Sequence, residues 1–147
     1  MQVESREKPN KSKIEISENR KMTVYFFDNI VEQEVTRMNE QQIIYVYDMY
    51  QITIENRPNL EEDIQNNFDI WLQFAKDCEY EKLAAEIRNK RDNLLTQTDW
   101  TQVTDTVLNT EKQQEYKEYR QQLRDITEQQ EFPYVVVFPE KPEESEE

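Results

Sequence analysis

The sequence predicts an α+β fold: an N-terminal antiparallel β-meander, then two or three helices and a short C-terminal strand. Three observations predict it. Apolar residues alternate with a period of two from Met22 to Glu55. After Pro58 they switch to helical spacing, and neither proline nor glycine interrupts the chain again before Pro133. Finally, the strand formers Tyr134-Val135-Val136-Val137-Phe138 sit between Pro133 and Pro139.

Each element follows in order. Residues 1–20 are polar and read as an arm, with a short strand at Lys13–Ser17 where Ile14 and Ile16 alternate. Thr23–Phe27 is a strand, and Asp28-Asn29 reads as a two-residue turn because both residues tolerate positive φ. Val31, Gln33 and Val35 then oppose Glu32, Glu34 and Thr36 on a half-exposed strand. Arg37–Gln41 turns the chain again. In Gln42–Glu55, Ile44, Val46, Tyr50, Ile52 and Ile54 share one parity, and Asp48 interrupts it, which implies a bend or an edge.

Arg57-Pro58 closes the sheet, since the residue before proline is pushed out of the helical well. Asn59 reads as an N-cap, with Glu62 completing a capping box. Leu60, Ile64, Phe68, Trp71, Leu72 and Ala75 form an apolar stripe that continues through Tyr80, Leu83, Ala84, Ile87, Leu94 and Leu95. One helix over residues 59–96, or two parted near Asp77, both fit; a break at Asp77, which can cap a second helix, is the expectation. Thr98–Leu108 reads as a loop holding Trp100. Asn109 or Thr110 caps the next helix, with Tyr116, Tyr119, Leu123 and Ile126 on one face. The expected division is therefore a meander with its arm over 1–57, a helical module over 58–139, and a disordered acidic tail over 140–147.

Composition excludes several kinds of chemistry. The chain has no glycine, so it offers neither a phosphate-cradling loop nor a nucleophile elbow. It has no histidine, which removes the commonest general base and metal ligand. Cys78 is the single cysteine; it forms no internal disulfide or zinc cage and is expected as a small buried hydrophobe. Glu61, Glu62 and Asp63 complement a helix dipole, Glu79 and Glu81 lie on an exposed helix side, and Asp99 and Asp105 lack the glycine turn of a cation loop. No catalytic residue, cofactor or metal is expected.

With 18 basic and 32 acidic residues, the net charge is −14. Such a chain is repelled by nucleic acid and by anionic membranes, so Phe26, Tyr45 and Tyr47 read as packing residues and not as a base-stacking platform. No stretch approaches a membrane span, and Met1–Arg6 lacks a signal peptide's apolar core, so the expected location is the cytoplasm. Protein surfaces are the remaining class of partner.

The densest constellation lies late in the chain. Arg88, Arg91 and Asp92 precede Leu94-Leu95; Asp99-Trp100 follows; then come Tyr119-Arg120-Gln121-Gln122-Leu123-Arg124-Asp125 and Phe132-Pro133. As structure, this reads as a helical hairpin. Trp100 is buried as its anchor, and Arg124 and Asp125 pair with Arg88 or Arg91. Phe132-Pro133 turns the chain so that Val135 and Val137 cover the helices.

This series, over Glu86–Pro139, resembles the phage tail assembly chaperone family. The chain departs from the family pattern at Gln130-Glu131, where a Pro-Gly pair is common, and at Tyr116 and Phe138, near which tryptophan is common. The resemblance implies no active site. It implies a protein that binds a phage tail, tail-fibre or baseplate protein in the cytoplasm of the bacterial host, as a chaperone or as a minor part of the virion tail. The module-defining residues it marks are Arg88, Arg91, Asp99, Trp100, Tyr119, Arg120, Arg124, Asp125, Phe132 and Pro133. The alternative is an acidic protein that imitates DNA to inhibit a nucleic-acid-binding host protein. Neither reading sets the oligomeric state.

Overall fold

The computed structural model describes residues 1–16 and 21–143. Four strands precede three helices: β1 (Gln2–Ser5), β2 (Ser12–Ile16), β3 (Lys21–Arg37), β4 (Glu40–Glu55), α1 (Leu60–Asn66), α2 (Phe68–Gln97) and α3 (Thr110–Arg124). This is the α+β fold expected from the two periodicities. The chain forms two compact units, Met1–Glu79 and Tyr80–Glu147, and α2 contributes to both.

In the first unit every strand pairing is antiparallel, in the order β1-β4-β3-β2. β1 is a departure from expectation. The polar stretch Gln2–Ser5 has no apolar alternation of its own, yet it pairs Gln2 with Asp48 and Ser5 with Tyr45. An edge strand can be built on main-chain bonds alone. β2 falls where Ile14 and Ile16 announced it; Ser17 lies outside the described residues.

The expected turn at Asp28-Asn29 is instead a bulge within one 17-residue strand. Asn29 does adopt positive φ, at 50°, but the chain continues in the same direction and the register shifts between Asp28 and Val31. Asp48 sits opposite this irregularity, and Asn29 Nδ2 donates to its carboxylate at 2.8 Å. An inserted residue bends the strand without reversing it. The reversal comes at Met38-Asn39, with φ of 53° and 65° between the paired Arg37 and Glu40, the backbone of a two-residue hairpin loop.

One sheet face carries Ile14, Met22, Val24, Phe26, Tyr50, Ile52 and Ile54, and packs on Leu60, Ile64, Phe68, Trp71, Leu72 and Ala75. Val24, Phe26 and Ala75 are wholly buried. Each fully buried aliphatic or phenyl side chain here contributes about 1.5–3 kcal/mol. The helix stripe and the strand parity were both legible, and they meet face to face.

The first helix starts after Asn59 as expected, but its capping and the later break differ from expectation. Asn59 has a left-handed backbone, φ 58° and ψ 21°, and its side chain caps nothing, so there is no capping box. The first turn is instead tied by Arg57, whose guanidinium pairs with Asp63 and lies 5.9 Å from the Trp71 ring centroid. The helix does not break at Asp77, which accepts an i,i+4 hydrogen bond from Gln73. It breaks at Asn67 (φ −123°, ψ 37°), whose amide donates to Asp63 Oδ1 at 2.8 Å. Asparagine side chains compete in this way with the helical ladder. Cys78 is exposed on α2, a further correction.

Lys76 on α2 reaches down to Asp28 at 2.6 Å. Asp28 stands directly opposite Asp48, a repulsive cross-strand pair that the ammonium offsets. The hydrogen bond from Lys76 holds the Asp28 carboxyl below its ordinary value of 3.8. The same bond, from the other side, raises Lys76 above 10.5. A carboxyl depressed in the folded state stabilises the fold above its unfolded pKa and loses that contribution as pH falls through the folded one. Urea midpoints are therefore expected to drop between about pH 4 and pH 2, and the Asp28→Asn variant is expected to show a shallower drop. Equal slopes in the two proteins would contradict this.

Candidate protein-binding module

In the Tyr80–Glu147 unit, α3 presents Tyr116, Tyr119 and Leu123 at 0–4% exposure, and Ile126 follows in a 3₁₀ turn at 0%. Leu94 and Leu95 of α2, Leu108 and Phe138 pack against this set. Asn109 caps α3, its Oδ1 accepting from the Lys112 amide at 2.9 Å. The core periodicity and that cap were both expected.

The node of the module is Arg120, which is 7% exposed. Its Nη1 donates to the Leu95 carbonyl at 2.5 Å and to Thr98 Oγ1 at 2.8 Å, and its Nη2 donates to Asp99 Oδ1 at 2.7 Å. The cause lies in how α2 ends. The last turn of α2 contains no basic residue, and the chain has no glycine to supply a left-handed stop. The terminal carbonyls need donors. Thr98 Oγ1 turns back to the Leu94 and Leu95 carbonyls at 2.9 and 3.1 Å, and Arg120 brings positive charge to the negative end of the helix dipole. Thr101 Oγ1 then donates to the Thr98 carbonyl at 2.7 Å, starting the 3₁₀ turn Asp99–Gln102. Thr98 and Thr101 are 1% and 2% exposed, and neither is among the residues marked from the sequence. The available signal was a helix end with two threonines and no glycine.

The structure joins Asp99 to Arg120, and so relocates the expected ion pairs. Arg88 pairs with Glu81 at 3.7 Å, and Arg91 with its neighbour Asp92 at 2.8 Å. Arg124 and Asp125 both bond Gln121, at 3.5 and 2.9 Å, one turn away on the same helix. A guanidinium three or four residues from a glutamine meets it locally before it can span to another helix.

Trp100 is not the buried anchor expected. It stays 39% exposed, with its ring tilted at 60° against Tyr116 and centroids 5.9 Å apart. Tyr116 takes the anchoring place: it is wholly buried, and its hydroxyl donates to the Pro142 carbonyl at 3.1 Å. Residues 140–143 are described without regular structure, and residues 144–147 lie outside the description. Burial raises the Tyr119 phenol above its ordinary pKa.

Phe132-Pro133 does turn the chain. Phe132 meets Tyr80 edge-on at 6.4 Å, the Arg88 guanidinium lies 5.8 Å from its ring, and Pro133 is buried. The expected strand at Tyr134–Phe138 is absent from the described structure. Gln129 stands in for a neighbouring strand, its Nε2 donating to the Val137 carbonyl at 2.7 Å and its Oε1 accepting from the Val137 amide at 2.9 Å. The apolar residues facing inward are Val136 and Phe138, the latter with its ring centroid 4.0 Å from Lys90 Nζ. Val135 and Val137 are 57% and 72% exposed, the reverse of the expected phase. Without a ladder partner, nothing imposes the strand's phase.

The unit therefore presents apolar groups to solvent at two places: Trp100, Val103 and Val107 on the loop between α2 and α3, and Tyr134, Val135 and Val137 after the turn. Scattered single hydrophobes are ordinary on a surface; runs of them mark contact sites. Among the described residues, no group of three or more His, Cys, Asp or Glu is placed to hold a metal, and no helix is long and apolar enough to cross a membrane. Comparison with curated proteins finds no match, and comparison with solved structures finds none either. Residues 84–143, which contain the Arg120 node and both exposed runs, match the family described as phage tail assembly chaperone protein.

Proposed function

We infer that this chain binds another phage tail protein while the tail is being assembled, as a chaperone or as a minor component of the tail, and does not catalyse a reaction. The observation that carries the reading is the family match over residues 84–143. The surface supports it: the Trp100–Val107 loop and the Tyr134–Val137 segment expose apolar side chains, as a protein-binding face requires. Some carboxylates of this unit are also met by a cation, Glu81 by Arg88, Asp92 by Arg91, Asp99 by Arg120 and Glu115 by Lys112, which favours protein binding over imitation of DNA. In this reading Arg120, Asp99, Tyr119 and Pro133 hold the module together, and Trp100 faces the partner.

Affinity purification of the tagged chain from phage-producing cells is expected to recover a tail, tail-fibre or baseplate protein. Trp100→Ala is expected to weaken that capture at least about tenfold, because exposed tryptophans dominate contact energies. It should change the thermal midpoint little. Recovery of no tail protein by the unaltered chain would sink the reading.

A further inference from the structure

The β3–β4 hairpin is longer than the sheet that supports it. β2 pairs with β3 only from Met22 to Phe26, and β1 pairs with β4 only from Tyr45 to Asp48. Among the described residues, nothing pairs with the outer edge of β3 from Asp28 to Arg37. That ribbon is two strands wide, and Glu32, Glu34 and Thr36 are exposed. Two-stranded ribbons in water are marginal by themselves and gain from a third strand.

The register says which groups are free. Arg37 and Glu40 flank the two-residue loop, so they form a hydrogen-bonded pair, and hydrogen-bonded pairs alternate from there. Val35, Gln33 and Val31 therefore turn their main chain toward β4. Glu32, Glu34 and Thr36 turn theirs outward. The same parity accounts for the Met49 amide donating to Met1 on the far edge and, across the bulge, the Phe27 amide donating to Lys11.

We propose that this edge, Glu32-Gln33-Glu34-Val35-Thr36, is a strand-addition site for an extended segment of another protein carrying lysine or arginine at alternate positions. Residues of an added strand that stand opposite Glu32 and Glu34 lie on the same face as the two carboxylates, a spacing of i and i+2. Arg37 is the only cation in residues 28–48, and Glu4 engages it at 2.7 Å. Glu32 accepts from the Tyr45 hydroxyl. The edge is thus acidic along its length. A second copy added antiparallel about Glu34 would set that carboxylate against itself, so charge selects a basic strand and rejects self-pairing. The surface lies outside residues 84–143 and does not depend on the tail-assembly reading.

Two synthetic nine-residue peptides test this on the full-length ¹⁵N-labelled chain, one alternating lysine with valine and one alternating glutamate with valine. The lysine peptide is expected to shift the Glu32, Glu34 and Thr36 amides and slow their exchange; the glutamate peptide is expected to leave them unchanged. The double variant Glu32→Lys/Glu34→Lys should bind the lysine peptide at least about tenfold more weakly and gain affinity for the glutamate peptide. Thr36→Pro removes one outward donor while sparing both glutamates and the ladder to β4, and should abolish binding with the rest of the spectrum intact. The proposal is overturned if these amides do not respond to the lysine peptide, if both peptides act alike, or if binding survives in Thr36→Pro. It is also overturned if sedimentation shows that the edge pairs with a second copy.

Discussion

Arg120→Ala is expected to destabilise the Tyr80–Glu147 unit by about 3 kcal/mol, read from urea unfolding and from faster amide exchange at Leu95–Thr101. The residue is 7% exposed, donates to a carbonyl, a hydroxyl and a carboxylate, and meets the end of a helix that has no cation in its last turn. Removing it strips the Leu95 carbonyl of a charged donor and opens a void beside Thr98. Arg120→Met separates the two contributions. It refills the volume, so a loss of about 2 kcal/mol remaining in that variant measures the hydrogen bonds to charge alone. Arg120→Lys is expected to fall between the unaltered chain and the alanine variant, because an ammonium cannot reproduce the planar fork. A loss under about 1 kcal/mol for alanine would mean that the node does not hold α2 to α3.

The second large effect is expected at Tyr116. Tyr116→Ala should cost about 4 kcal/mol, in the range for emptying a buried aromatic site. Its ring is wholly buried and supports Trp100 on one side. Tyr116→Phe keeps the packing and loses only the bond to Pro142, so it should cost about 1 kcal/mol. The phenylalanine variant should also release residues 140–143 into fast amide exchange, whereas Leu123→Ala at the other end of the helix should not. If exchange over 140–143 is already fast in the unaltered chain, the Tyr116 hydroxyl does not hold the tail.

Much of the fold could be read from side-chain periodicity, because burial writes a period into the residues it selects. The Ile44–Ile54 parity, the Leu60–Ala75 stripe and the Tyr116–Ile126 face all lie where their spacing put them. What failed was backbone bookkeeping. β1 was invisible because an edge strand needs main-chain partners and no pattern. The Asp28-Asn29 turn became a bulge because a positive φ at Asn29 permits either outcome, and only the length of β4 decides. Asn59 holds the N-cap place without a side-chain capping bond, and Asp77 had the chemistry of a cap but not the place, since Asn67 had already broken the ladder. In the module, the pairing among the ten marked residues was not legible. Arg120 and Asp99 were both named, yet which guanidinium meets which carboxylate depends on how α3 lies along α2, and composition does not contain that angle.

Among the described residues, Asn29, Met38, Asn39 and Asn59 hold positive φ in a chain that contains no glycine. The consequence falls on the denatured ensemble. Every residue of this protein carries a Cβ, so its unfolded chain is stiffer than one of ordinary composition. Each position where glycine is avoided at a compatible φ spares about 0.4–1 kcal/mol of configurational entropy on folding. A chain with only 35% hydrophobic residues thereby leaves less disorder for its thin core to overcome. The debt is concentrated at those four left-handed positions, and Met38, wholly exposed at the hairpin tip, has no side-chain contact to offset it.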